Sequence, residues 1–87
     1  MLDSDTSFDA TLDHTMMRVE DLEASVDWYT SHLDYVEEGR MEADTFTNVF
    51  LAPEDRHEAG AVLELTYNHD GRSYEMGDAW GHIAVRV

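Results

Sequence analysis

Three short stretches of the 87-residue chain each set a good metal ligand into a run of β-forming residues: Leu12-Asp13-His14-Thr15-Met16-Met17-Arg18-Val19, Leu63-Glu64-Leu65-Thr66-Tyr67-Asn68 and Gly81-His82-Ile83-Ala84-Val85-Arg86-Val87. The first and third share the pattern His-x-[Met/Ala]-x-Arg-Val, the mark of a repeated module whose equivalent strands aim equivalent side chains at one cavity. Two imidazoles and a carboxylate form a mixed nitrogen and oxygen donor set suited to a divalent cation. Glu64 is the sharpest of the three, because a carboxylate buried unpaired in Ala-Val-Leu-x-Leu-Thr-Tyr costs several kcal/mol. Its other reading is a solvent-facing position on a half-buried strand. A single His is more often a hydrogen-bonded or surface residue than a ligand, so His14 and His82 gain meaning only by converging with Glu64. Arg18 follows His14 on the same strand face, where a fixed positive charge could recognise a carboxylate-bearing substrate or pair with a neighbouring acid. Asn68, on the face of Glu64, could hydrogen-bond a substrate amide or carboxylate, or cap a turn.

The elements that must position these groups are short. Residues 12–19 read as a strand with His14, Met16 and Arg18 on one face and Thr15, Met17 and Val19 on the other. Asp21 offers a helix N-cap, and Leu22, Val26, Tyr29 and Leu33 recur at helical spacing. A second strand or turn region is expected over 35–41 around Gly39, and a third strand over 45–51. Residues 52–60 read as a loop and 61–67 as a further strand. That strand carries Val62, Glu64, Thr66 and Asn68 on one face and Leu63, Leu65 and Tyr67 on the other. Residues 68–77 are turn-rich, and a last strand is expected from Gly81. Trp28, Tyr29, Phe46 and Phe50 read as core, Tyr74 and Trp80 as core or pocket wall, and His32, His57 and His69 as solvated. The chain divides into a loose acidic segment over 1–11, one β-α-β-β-β module over 12–80, and the opening of a second, incomplete module over 81–87.

Composition narrows the function classes. Twenty Asp and Glu stand against five Arg with no Lys, a formal net charge of −15. Such a surface suits multimolar salt, where the Debye length falls to roughly 3 Å and carboxylates cease to repel while still holding water and cations. The same charge disfavours nucleic acid and anionic membrane surfaces. Without Cys there is no thiol nucleophile and no thiolate metal site. No apolar run approaches the roughly 20 residues of a membrane span, and the acidic start is unlike a signal peptide, so a cytoplasmic protein is expected. A single small domain with a limited core makes a homodimer the natural expectation.

The segments 14–29, 63–68 and 81–85 closely resemble the first part of the glyoxalase I (lactoylglutathione lyase) family of the vicinal oxygen chelate superfamily, over about residues 12–87. The resemblance implies an α+β fold in which two β-α-β-β-β modules form an eight-stranded cup around a divalent metal. It implies that His14 and Glu64 are metal ligands from the first module and His82 a ligand from the second. A second Glu, late in the second module of family members, lies beyond this chain, which reads either as truncated or as working with another chain. By the same resemblance Arg18 and Asn68 contact the glutamyl end of a thiol substrate, and Asp78 stands where longer members carry a further Arg. The short gap from Glu64 to His82 resembles the nickel- or cobalt-activated class rather than the zinc-preferring one. The implied reaction is isomerisation of the hemithioacetal of methylglyoxal and a low-molecular-weight thiol to an S-lactoyl thioester, with Glu64 as the base. Alternatives are another enzyme of the superfamily such as an epimerase or dioxygenase, a metal-free small-molecule-binding module of the same fold, and an inactive fragment.

Overall fold

The computed structural model describes residues 10, 12–54, 61–75 and 77–84. Five elements follow in chain order: β1 (His14–Arg18), α1 (Leu22–His32), β2 (Tyr35–Glu42), β3 (Phe46–Pro53) and β4 (Val62–Asn68). They form one four-stranded sheet in the order β1-β4-β3-β2. β1 and β4 are parallel, and the other two pairings are antiparallel. This is the expected β-α-β-β-β module, in which α1, β2 and β3 together make the crossover that a parallel pair requires.

α1 starts where local chemistry dictates. The Asp21 carboxylate accepts from the Ala24 N–H at 3.1 Å, satisfying one of the orphan amides of the first turn. Glu23 in that turn and His32 in the last favour the helix dipole. Leu22 and Val26 are buried against the sheet, with Tyr29 packed beside them. Two sequence expectations shift here. Leu33 is the C-cap, its N–H closing on the Tyr29 carbonyl, and lies outside the helix. Trp28, expected in the core, is 51% exposed. At about 100° per residue it sits on the flank of the stripe made by Leu22, Val26 and Tyr29, and its ring stacks on His32 instead, with centroids 5.0 Å apart.

The core lies on one side of the sheet. Val49, Leu51 and Leu65 are fully buried, Leu63 nearly so, and all four pack with Leu22 and Val26 against Met17, Val19, Tyr35 and Tyr67. Strand alternation sends Phe46 and Phe50 to the opposite face, where they are only partly buried. They therefore wall the open face and do not belong to the main core, a second departure from expectation. β2 bulges between Glu37 and Gly39. Arg40, beyond the bulge, ties β2 to α1 through Glu23 at 2.8 Å and back to Glu37 at 3.0 Å.

Two further expectations are corrected. β3 runs through Ala52 and Pro53, which had read as loop, because Tyr35 and Val36 supply pairing partners for both. Pro53 is tolerated as the terminal residue of its strand. The strand expected from Gly81 does not form over residues 81–84, which are exposed coil. A strand requires a neighbour to satisfy its backbone groups, and none stands beside this segment among the described residues. Residues 85–87, His57, and all but residue 10 of the 1–11 segment expected to be loose lie outside the described residues.

Leu65 faces Val49 across the sheet with no exposure at all. Leu65→Ala is expected to cost about 2–5 kcal/mol through lost transfer energy and the cavity left behind, a large part of the roughly 5–15 kcal/mol available to a small domain. Equilibrium urea unfolding followed by tryptophan fluorescence measures it, as a fall in the transition midpoint.

Candidate metal centre

The face of the sheet opposite α1 carries His14, Met16 and Arg18 from β1. β4 contributes Val62, Glu64, Thr66 and Asn68, and β3 contributes Asn48 and Phe50. The parallel register sets His14 against Val62 and Met16 against Glu64, so His14 and Glu64 are diagonal neighbours. Their side chains meet: His14 Nε2 is 2.9 Å from Glu64 Oε1. Glu64 is largely enclosed, its side chain only 13% exposed, whereas His14 is 37% exposed. A carboxylate so placed needs polar partners, and it has two. Thr66 Oγ1 lies 3.5 Å from Glu64 Oε2 while donating at 2.8 Å to Asn48 Oδ1. Asn48 and Thr66 are themselves buried, so this polar row runs through the sheet face with every buried side-chain donor and acceptor among the described residues satisfied.

Phe50, opposite Glu64 in the ladder, meets the His14 ring edge-on with centroids 5.8 Å apart. Beside it lies a shallow hollow of about 300 Å³ lined by Asp13, Glu38, Gly39, Phe50 and Val62. Gly39, which pairs with Phe50, leaves that side open, with no atom near where its Cβ would stand. On the other side of His14, Nδ1 is 2.7 Å from Asp13 Oδ2. The imidazole is thus flanked by a carboxylate at each nitrogen. The Asp13 hydrogen bond raises the His14 pKa above its ordinary 6.5; burial opposes the rise, and the charge of Glu64 adds to it.

The remaining expected site residues are distributed unevenly. Arg18 is exposed on the same face and pairs with no acid among the described residues. Asn68 ends β4 on this face and donates through Nδ2 to the Tyr74 hydroxyl at 2.7 Å. His82 stands apart in exposed coil. Accordingly no three His, Asp or Glu side chains gather at metal-binding distance among the described residues. The pair His14 and Glu64 fits as half of a divalent site, since an imidazole nitrogen and a carboxylate oxygen converge on one point from adjacent strands. Three residues around this half were not singled out from sequence, Asp13, Asn48 and Thr66, whereas Tyr74 was expected as core or pocket wall. For Thr66 the signal was present, as a polar residue two positions after Glu64 on the same face. His69, expected to be solvated, is exposed but holds Thr47 Oγ1 at 2.8 Å on the helix side of the sheet.

A family model described as the Glyoxalase/Bleomycin resistance protein/Dioxygenase superfamily matches residues 11–87. The chain belongs to this superfamily. Among the superfamily's curated members it is similar to a probable lactoylglutathione lyase of Vibrio cholerae serotype O1, 41% identical over 76 residues, covering 85% of this chain and 54% of that protein. It is also similar to the lactoylglutathione lyase of Neisseria meningitidis serogroup A, 44% identical over 82 residues with the same coverage. The chain spans about half the length of the curated relatives it matches. Among solved structures it resembles the trypanothione-dependent glyoxalase I of Leishmania major. The TM-score is 0.79 at 39% identity, over 90% of this chain and 57% of that one. No described helix is long and apolar enough to cross a membrane.

The raised pKa of His14 has a definite sign. Its pairing contributes stability that is fully present below the ordinary histidine value and is lost as pH rises through the higher folded value. In a proton NMR titration of metal-free protein, the His14 ring is expected to titrate with a midpoint above 6.5, and Asp13→Asn is expected to lower that midpoint. A wild-type midpoint at or below 6.5 would contradict the paired geometry.

Proposed function

We propose that this chain is the first module of a metal-dependent glyoxalase I, isomerising the hemithioacetal of methylglyoxal and a small thiol to the S-lactoyl thioester. The observation that carries the reading is the 2.9 Å approach of His14 Nε2 to Glu64 Oε1 on the open face. It is supported by membership of the superfamily and by relatives named lactoylglutathione lyase over this half of their length. His82 is the third ligand in this reading, brought in with a second module that also supplies a fourth, and the pairing of two chains as a homodimer would provide both. Nickel or cobalt is favoured over zinc by the short connection between Glu64 and His82.

A divalent ion held by His14 and Glu64 would supply Lewis-acid polarisation to the substrate. The rest falls to the chain. Glu64, enclosed beside Phe50, takes the proton from C1 of the hemithioacetal, and the proton returns to C2, so the reaction is a balanced internal transfer with no external oxidant. Arg18, unpaired among the described residues, receives a carboxylate of the thiol. Asn68, held by Tyr74, offers its remaining amide groups to the same end of the substrate. Met16 and Phe50 keep the reacting carbon away from water once the face is covered. The acidic surface fits a cytosol rich in salt.

Metal content per chain, after purification in multimolar KCl with nickel offered and the excess removed, tests the site. The expected result is nickel bound at a defined ratio, lost in His14→Ala and Glu64→Ala. Glu64→Gln is expected to lower hemithioacetal isomerisation by on the order of 10²-fold or more. Ligand binding that survives Glu64→Gln in a metal-free protein would instead identify a small-molecule-binding module of the same fold. The salt reading has its own check: the thermal unfolding midpoint is expected to rise as KCl is raised from roughly 0.1 M to 1 M, and a flat response would remove it.

A further inference from the structure

Asp13 precedes β1 by one residue and lies outside the sheet pairing. Its carboxylate is nevertheless set by the strand that follows, because the entry of the chain into β1 brings Oδ2 to 2.7 Å from His14 Nδ1. The two nitrogens of a neutral imidazole cannot play the same part: one carries the hydrogen and donates, the other offers a lone pair. An ionised carboxylate only accepts. Asp13 therefore draws the hydrogen to Nδ1, and the bare nitrogen becomes Nε2, the one that faces Glu64 Oε1.

Glu64 makes the opposite demand on Nε2, and two features of the structure decide between them. The Asp13 contact is the shorter, at 2.7 Å against 2.9 Å. The edge of Phe50 against the imidazole limits rotation of the ring away from both. Any cation shared by His14 and Glu64 would then meet a lone pair and a carboxylate that already point at each other.

We propose that Asp13 is a positioning residue of the metal centre: it holds the Nδ1–H of His14 so that a bare Nε2 is presented beside Glu64 to a divalent cation. The inference rests on the metal-centre reading of the preceding subsection. It adds the residue that fixes which imidazole nitrogen serves as ligand. Outer carboxylates of this kind orient ligating histidines and raise their basicity, and their removal typically weakens metal binding by about 10–100-fold.

The test has two readouts on the full chain. Long-range proton–nitrogen correlation spectra of metal-free protein, at a pH where His14 is neutral, report its tautomer directly. The wild type is expected to show Nδ1–H, Asp13→Asn to keep it because an amide oxygen still accepts, and Asp13→Ala to move the hydrogen to Nε2. Nickel titration by calorimetry is then expected to show affinity reduced about 10–100-fold in Asp13→Ala and by clearly less in Asp13→Asn. An Nε2–H tautomer in the wild type, or nickel affinity in Asp13→Ala equal to that of the wild type, overturns the proposal. A wild type that shows Nδ1–H yet binds no nickel overturns the metal-centre reading and with it the metal-directed role, while upholding the orientation of His14 by Asp13.

Discussion

The parallel pairing of β1 with β4 is the constraint on which the rest of the molecule depends. It joins the two strands most distant in the described sequence, and it is the only pairing that brings His14 within reach of Glu64. A slip of one residue in that register would turn His14 toward α1 and Thr15 toward the open face, since side chains alternate with a period of two. The apolar residues on the other side prevent the slip. Met17 and Val19 from β1 and Leu63 and Leu65 from β4 must all reach the layer occupied by Leu22 and Val26, and they can do so together in one register. The geometry of the candidate site is thus maintained by packing on the face that does no chemistry.

The open face follows different rules. It combines the enclosed Glu64, the buried Asn48 and Thr66, the aromatic edge of Phe50, and the exposed Met16, Met41 and Val36. Apolar side chains at 40–49% exposure beside satisfied polar groups are what remains when a sheet face is half prepared for burial. In the proposed reading a second module completes that burial, excludes water from Glu64, and brings the ligands that His14 and Glu64 lack.

With so few cations in the chain, where each one sits is informative. Arg40 ties α1 to β2 through Glu23 and Glu37, and Arg72 closes the turn after β4 on Asp70. These are surface pairs, which contribute little, and high salt weakens them further. Arg18 differs from both. Exposed on the open face of β1 without an acid partner among the described residues, it is the cation that the proposed reading assigns to a negative charge from outside the chain.

Much of this was legible in the residues themselves. The alternation of 14–19 and 62–68, the Asp21 cap and the Leu22, Val26 and Tyr29 stripe determined a β-α-β-β-β module, and the pattern around His14 and Glu64 set both residues on one sheet face, where they meet, because strand and helix periods are local properties of the chain. Errors arose where long-range partners decide the outcome. Ala52 and Pro53 became strand because β2 lay beside them, residues 81–84 stayed coil because no described strand did, and Phe46, Phe50 and Trp28 left the core because strand alternation and helical position turn them away from the layer of Leu22 and Val26. Which groups touch Glu64 was likewise a matter for the tertiary structure. Asn48 lies on another strand, and the orientation that joins Asp13 to one nitrogen of His14 and Glu64 to the other depends on the register of β1 against β4, a distance in space that no spacing along the chain encodes.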